Sequence, residues 1–403
     1  MKRIALFGFF GIGNLGNEGS LEAVHAVLRT AAPTAEIVCI CADPDVVRAT
    51  HGIAAQPISS PRKGGSGFLG KWRNLAYAVQ EARRFDLILV PGTGILDDFG
   101  MGPFGMPYAV FRWTLAARLA GVPFAFVSIG AGPVVHPLSR ILVRAAAWLA
   151  ASRTYRDQNS KDFLESIGFR TGDDRVLPDV AFLLPPPPAS DTVEASSTVG
   201  VGLMSYYGWR CDPESGSAIY SRYIGQMIDF CEWLLRQGRR IRFLIGEDSD
   251  LQAVSDVQSA LQERCGDLSG RIDLEQPHSL GDLMRQIGQT DAVVATRFHN
   301  IVCALKVGKP TISIGYAAKN DVLMQQAGLG EYCQQLEQLD PARLQEQFLA
   351  LWADRRRAAA QASSFAQTAR QVLDVELVSL IRGLTEDDRR AAAAAPGLSQ
   401  ARG

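Results

Sequence analysis

The stretch "RIALFGFFGIGNLGNEGSL", residues 3–21, sets an unbroken apolar run against a glycine-rich segment. A continuous run, rather than an alternating one, suits a strand covered on both faces, as in a parallel sheet. The glycines then form a loop at the strand's carboxyl end, and a helix is expected over Ser20–Ala32 with Ser20 or Asn17 as its N-cap. Gly11, Gly13 and Gly16 have the G-x-G-x-x-G spacing of dinucleotide loops. That fingerprint needs a helix starting at the third glycine and an acid about 20 residues further on. Here Asn17-Glu18-Gly19-Ser20 intervenes, and Asp43 comes late. The reading is therefore a loop free of bulky side chains that points Asn14, Asn17 and Glu18 into a cleft. A purely structural turn is the alternative.

Working outward, the strand–helix rhythm repeats. Strands are expected at Arg3–Phe10, Glu36–Cys41, Asp86–Val90, Phe124–Ile129 and Ala151–Tyr155, with helices at Gly70–Arg83, Tyr108–Ala120 and Pro137–Ala150 between them. Residues 185–198, "PPPPASDTVEASST", stop it, because four prolines fit neither a helix nor a central strand. The rhythm restarts with strands at Val199–Met204, Ile241–Ile245, Ile272–Leu274, Ala292–Ala295 and Thr311–Ile314. Helices alternate with them at Ser217–Gln237, Leu251–Arg264, Leu280–Gln289 and Asn300–Val307. The layout is an α/β amino-terminal domain over 1–184, a linker over 185–198 and a second α/β domain over 199–340. Carboxyl-terminal helices over 341–384 and a flexible tail over 385–403 complete it.

Length agrees with two domains, since 403 residues exceed a typical single one. Lys+Arg 41 against Asp+Glu 42 gives no global field, which argues against a nucleic-acid partner. Seven scattered cysteines read as reduced core thiols of a cytoplasmic protein. The basic start Met1-Lys2-Arg3 leads into a run too short and glycine-rich for a signal peptide, and no window is apolar enough to span a membrane. No His/Cys/Asp/Glu grouping has metal-ligand spacing.

The chemistry concentrates in "DAVVATRFHN", residues 291–300. A buried strand delivers Arg297, Phe298 and His299 to its carboxyl end, where ligands bind in open α/β sheets. The following helix start adds unpaired N–H groups. Arg297 offers a planar fork for a carboxylate or phosphate, and His299 can move a proton near neutral pH. The plainer alternative is a capping histidine beside an arginine in a structural ion pair. "GYAAKN" places Lys319 in a neighbouring loop, while "PGTGILDD" and "SIGAGP" put Gly94, Asp97 and Asp98 at strand ends of the first domain. Cations facing carboxylates across a cleft suit group transfer from an anionic donor to a hydroxyl acceptor.

"GFFGIGNLGNEGSL", "PGTGILDD", "SIGAGP", "YRDQNSKDFLESIG", "LPDVAFLL", "TRFHN" and "IGYAAKNDVLMQQAGL" occur in this order between about residues 3 and 330. This series resembles the motifs of the polysaccharide pyruvyl transferases. Two departures stand out: Asn17-Glu18 where the family usually has Asp-Glu, and Gly92-Thr93-Gly94 where it has three glycines. The resemblance implies two Rossmann-like domains facing a cleft, as in glycosyltransferases of the B type. It also implies transfer of pyruvate from phosphoenolpyruvate onto a sugar, free or lipid-linked, as a ketal, with release of phosphate and no metal or other cofactor. On that reading His299 is the acid and Arg297, Lys319, Arg156 and Phe298 hold the donor. Asp98, with Asp97 beside it, serves the hydroxyl, and Asn14, Asn17, Glu18, Gly94 and His136 line the acceptor side. A sugar-nucleotide-dependent glycosyltransferase and a non-catalytic anion binder are the rival functions.

Other features divide between roles. His136 is a second proton shuttle or a plain loop residue, while His25, His51 and His278 read as structural. Asp179 is expected to tie a strand end to the linker. "RKGGSGFLGKWRN", residues 62–74, is either a loop closing over an anionic acceptor or a simple connection. Tyr206, Tyr207 and Trp209 suit sugar stacking or loop packing. The helix "SRILVRAAAWLAASR" is basic and apolar: it either touches a membrane, at the inner face of which the protein would then sit, or is an ordinary surface helix facing the core.

Overall fold

The computed structural model describes residues 1–61, 68–99, 101–188, 197–209 and 213–386. Parts of three expected features lie outside these: residues 62–67 of the basic loop, 189–196 of the linker, and the tail from 387. The chain forms two units. The first holds Met1–Ile12, Ser20–Val180 and the end of the chain from Val372; the second holds Gly13–Gly19 and Ala181–Gln371. The end of the glycine loop, Gly13 and Asn14, and the first turn of the helix that follows therefore belong to the second unit, which no composition change along the chain announces.

In the first unit the strands are β1 (Arg3–Phe7), β2 (Glu36–Cys41), β3 (Ala54–Pro57), β4 (Leu87–Pro91), β5 (Phe124–Ile129), β6 (Ser152–Tyr155) and β7 (Arg175–Val176). Among the described residues they form one parallel sheet in the order β3-β2-β1-β4-β5-β6-β7. In the second, β8 (Thr198–Gly202), β9 (Arg240–Phe243), β10 (Ile272–Leu274), β11 (Ala292–Ala295), β12 (Thr311–Gly315) and β13 (Cys333–Gln335) form another, ordered β10-β9-β8-β11-β12-β13. It too is parallel throughout. The central strands are buried along their whole length, as their unbroken apolar runs require. Each sheet reverses its winding once, between β1 and β4 and between β8 and β11. The crevice beyond the carboxyl ends at such a reversal is where α/β sheets bind ligands.

Helices cover the sheets much as the sequence suggests, with additions. Pro44–His51 forms a helix whose cap is Asp43, its Oδ1 accepting from Asp45 and Val46 N–H at 3.0 and 3.1 Å. The late acid of the dinucleotide spacing is thus used as a cap. The helix expected from Ser20 starts earlier, at Leu15. Asn14 caps it: its Oδ1 accepts from Asn17 N–H at 3.1 Å. Gly16 and Gly19 lie inside this helix, so the loop is shorter than expected. Cys39, Cys41, Cys231 and Cys303 are buried, as core cysteines are, and burial pushes the Cys231 thiol up to about 12. Cys265 is exposed instead. The final helix, Arg355–Glu386, follows Pro341–Ala353.

Candidate active site

In the second unit the "TRFHN" segment leaves β11 and enters the helix Phe298–Lys306, with Arg297 at the N-cap position and no side-chain cap. Buried polar groups fix this turn. Tyr223 Oη and Thr296 Oγ1 share a hydrogen bond at 2.9 Å, Asn320 Nδ2 donates to Thr296 O at 3.0 Å, and Asn300 Nδ2 donates to Leu244 O at 3.2 Å. His299, half-buried, stands edge-on to the buried Phe298, ring centroids 5.3 Å apart. Its Nδ1 edge lies against Gly16: a Cβ there would come within 2.0 Å of Nδ1. Gly16 is therefore a glycine because the imidazole occupies the space a side chain would need. Lys319 enters from the helix Ala318–Gln326, its Nζ 4.7 Å from the ring centre of Tyr316 and 5.8 Å from that of Phe298. The structure thus gathers His299, Phe298, Lys319 and Gly16, and adds Tyr316.

Arg297 turns its fork to protein carboxylates. Its Nε donates to Asp250 Oδ2 at 2.9 Å, Nη2 to Asp250 Oδ1 at 2.7 Å and to Ser249 Oγ at 3.2 Å, and Nη1 pairs with Glu247 Oε2 at 2.6 Å. Burial alone would lower the guanidinium pKa, but Asp250, by charge and hydrogen bonds, and then Glu247 more than offset it, and the pKa rises. The expected fork for a donor anion is the structural ion pair that the plainer reading described. Glu247 Oε2 also accepts from Asn14 Nδ2 at 3.2 Å, and Leu15 N–H donates to Gly246 O at 3.2 Å. Asn14 is accordingly a strut between the Glu247 loop and the helix carrying Gly16. Asn17 and Glu18 follow on its first turn, both half-buried, with Glu18 where an acid favours the helix dipole.

In the first unit, Asp97 and Arg156 converge on Gly94: Asp97 Oδ2 and Arg156 Nη2 each lie 3.8 Å from where a Cβ of Gly94 would sit. Arg156 is buried, its Nε 3.3 Å from Asp157 Oδ2 and its Nη1 3.7 Å from Asp179 Oδ2. Its guanidinium crosses Gly130, where a Cβ would meet Nη2 at 2.5 Å. Within this unit Arg156 therefore keeps company with Gly94 and Asp97, and Asp179 pairs with it. Asp98 faces away from this group. Its carboxylate accepts from Val135 N–H at 3.0 and 3.1 Å and from His136 N–H at 2.9 Å. His136 is exposed and caps the helix Pro137–Leu149 through Nδ1, which accepts from Leu138 N–H at 3.1 Å.

Sequence reasoning passed over Glu247 and Asp250 and gave Tyr316 no role of its own. "IGEDSD", residues 245–250, carries three acids just past a buried strand, a signal of the kind that singled out "PGTGILDD". Among the described residues, no group of three or more His, Cys, Asp or Glu could hold a metal ion, and no helix is long and apolar enough to cross a membrane.

Two parallel α/β units with helices at the carboxyl end, each presenting chemistry where its sheet reverses winding, define a fold of the glycosyltransferase-B type. Solved structures agree. The S. aureus MnaA–UDP co-structure covers 96% of this chain and 97% of its own, with TM-score 0.61 and 13% identity. HepE of Anabaena in complex with UDP and glucose covers 96% and 100%, with TM-score 0.58 and 16% identity. UDP-GlcNAc 2-epimerase of Neisseria meningitidis bound to UDP-GlcNAc covers 95% and 100%, with TM-score 0.58 and 12% identity. Identities this low show the fold alone. No curated protein matches the chain's sequence. The family model for polysaccharide pyruvyl transferase matches residues 14–317, and the chain belongs to that family of transferases.

Proposed function

We propose that the protein moves pyruvate from phosphoenolpyruvate onto a sugar of a surface polysaccharide, or its lipid-linked precursor, as a ketal. The observation that carries this reading is that the His299 imidazole and the Lys319 ammonium both stand beside the Phe298 ring where β11 and β12 end, inside the family match. Phosphoenolpyruvate needs both: a cation for its carboxylate and phosphate, and an acid for its methylene carbon. His299 gives that carbon a proton, and the central carbon gains oxocarbenium character. A sugar hydroxyl adds there and loses its proton to a carboxylate. A second hydroxyl then displaces phosphate and closes the ketal. Of the hydroxyl protons, one restores His299 and the other leaves on phosphate.

Lys319 holds the donor anion, aided by the N–H groups of the helix beginning at Phe298, which bear no side-chain cap. Asp97 replaces Asp98 as the carboxylate serving the hydroxyl: both Asp98 oxygens accept from the Val135 and His136 N–H groups, whereas Phe99 N–H donates to Oδ1 of Asp97 and Oδ2 lies toward Gly94. Arg156 orients Asp97 around Gly94. Asn14 holds the helix that carries Gly16, Asn17 and Glu18 beside His299, and Arg297 holds the turn that carries His299. Phosphoenolpyruvate is the co-substrate, no further cofactor is required, and the setting is cytoplasmic. The test is phosphate release from phosphoenolpyruvate with a panel of galactosides and mannosides. Release by the wild type that falls at least 100-fold in His299→Ala is expected. Turnover of a UDP-sugar instead, with phosphoenolpyruvate inert, would establish the glycosyltransferase alternative.

A further inference from the structure

From residue 99 to residue 156 the chain contains no aspartate or glutamate but has arginines at 112, 118, 140, 144, 153 and 156. The acids that bracket this run are turned inward: Asp98 onto backbone N–H groups and Asp157 onto Arg156 and Ser160. Three of the arginines are also engaged internally, Arg112 with Ile58 O, Arg153 with Asp174 and Arg156 with Asp157. The other three, Arg118, Arg140 and Arg144, are exposed, with Arg140 Nε donating to Val134 O at 2.9 Å.

These exposed arginines share their surface with large apolar side chains. The helix Pro137–Leu149 buries Ser139, Val143, Ala146 and Ala147. Its outer face carries Ile141, 56% exposed, and Trp148, 75% exposed, alternating with Arg140 and Arg144 at three- and four-residue spacings. The helix Met106–Ala120 packs beside it and ends in exposed Arg118 and Leu119, the latter 60% exposed. Acids return only with Asp157, Asp162 and Glu165 of the next segment.

A lone exposed leucine needs no explanation. A tryptophan, an isoleucine and a leucine interleaved with arginines, on two neighbouring helices that carry no acid, match the interface of a bilayer. There the ring and aliphatic groups enter the acyl boundary while guanidinium groups meet phosphates. We propose that this face rests on an anionic lipid bilayer as a peripheral, reversible contact. The inference stands independently of the reaction proposed above.

The test is co-sedimentation of the full chain with vesicles of phosphatidylcholine alone or mixed with phosphatidylglycerol. Binding is expected to the mixed vesicles only and to weaken with salt. Arg140→Glu and Arg144→Glu should each lower partitioning about fivefold or more, and Trp148→Ala should lower it several-fold. These side chains are exposed, so unchanged circular dichroism should accompany each loss. Equal sedimentation with both vesicle types, or equal partitioning of all variants, would overturn the proposal. So would a dimer of the wild type that Trp148→Ala dissolves without any vesicle binding, since the face would then join two copies.

Discussion

At Arg297 and His299, two residues apart, the same strand end yields two different roles. Sequence chemistry marked both as polar groups at a ligand-binding edge but could not say which partner each would find. Arg297 found Asp250, which is wholly buried, and Glu247. Removing one partner of a buried ion pair costs about 3–5 kcal/mol. Arg297→Ala is therefore expected to lose most of that amount in a denaturant titration. Arg297→Met combined with Asp250→Leu should recover a large part of it, because the stranded charge is gone. A guanidinium serving only the donor would leave stability unchanged in both. Asp98 makes a similar case in the first unit. Asp98→Ala strips the acceptor from Val135 and His136 N–H groups and is expected to cost about 1–2 kcal/mol. Asp97→Asn keeps an oxygen for the Phe99 N–H and should lower turnover far more than stability.

At the level of elements, the long apolar strands were legible because burial on both faces leaves no room for polar alternation. The short edge strands β3, β7 and β13 were not, since "AAQP", "RV" and "CQQ" carry no apolar run. The early start of the first helix was missed for a different reason. Glycine weakens a helix, so Gly16 and Gly19 argued for loop, while the cap came from Asn14. Gly16 is tolerated because His299 fills its missing side-chain space. In an ordinary helix, replacing glycine by alanine stabilises by roughly 0.5–1 kcal/mol. Gly16→Ala is expected to do the opposite of helpful here: it displaces the imidazole, and turnover should fall at least tenfold while circular dichroism stays native. Undiminished turnover in Gly16→Ala would show that the position of His299 does not matter.

Across the whole molecule, two sheets repeat one winding scheme, and each brings glycines, acids and cations to the strand ends beside the reversal. That much followed from apolar runs and the loops between them. Which unit held each loop did not, because the placement of Gly13–Gly19 depends on Asn14 meeting Glu247 and Gly16 meeting His299 across more than two hundred residues of chain. Global stability should also respond to acid through His25. Burial chiefly, then Arg29 and His51, lowers its pKa below the ordinary 6.5. As pH falls below about 6.5 the unfolded chain takes the proton first, so stability declines until the folded-state pKa is passed. His25→Gln should flatten that acid limb in thermal melts; an identical limb would show that other groups govern it.

The account depends most on the division of labour between Lys319 and His299 toward one donor. Calorimetric titration of phosphoenolpyruvate into the wild type, His299→Ala and Lys319→Ala measures it without any acceptor. The prediction is saturable binding to the wild type, affinity within about threefold in His299→Ala, and at least a tenfold loss in Lys319→Ala, about 1.4 kcal/mol or more. Absence of binding to the folded wild type, or binding that both variants leave unchanged, would contradict it.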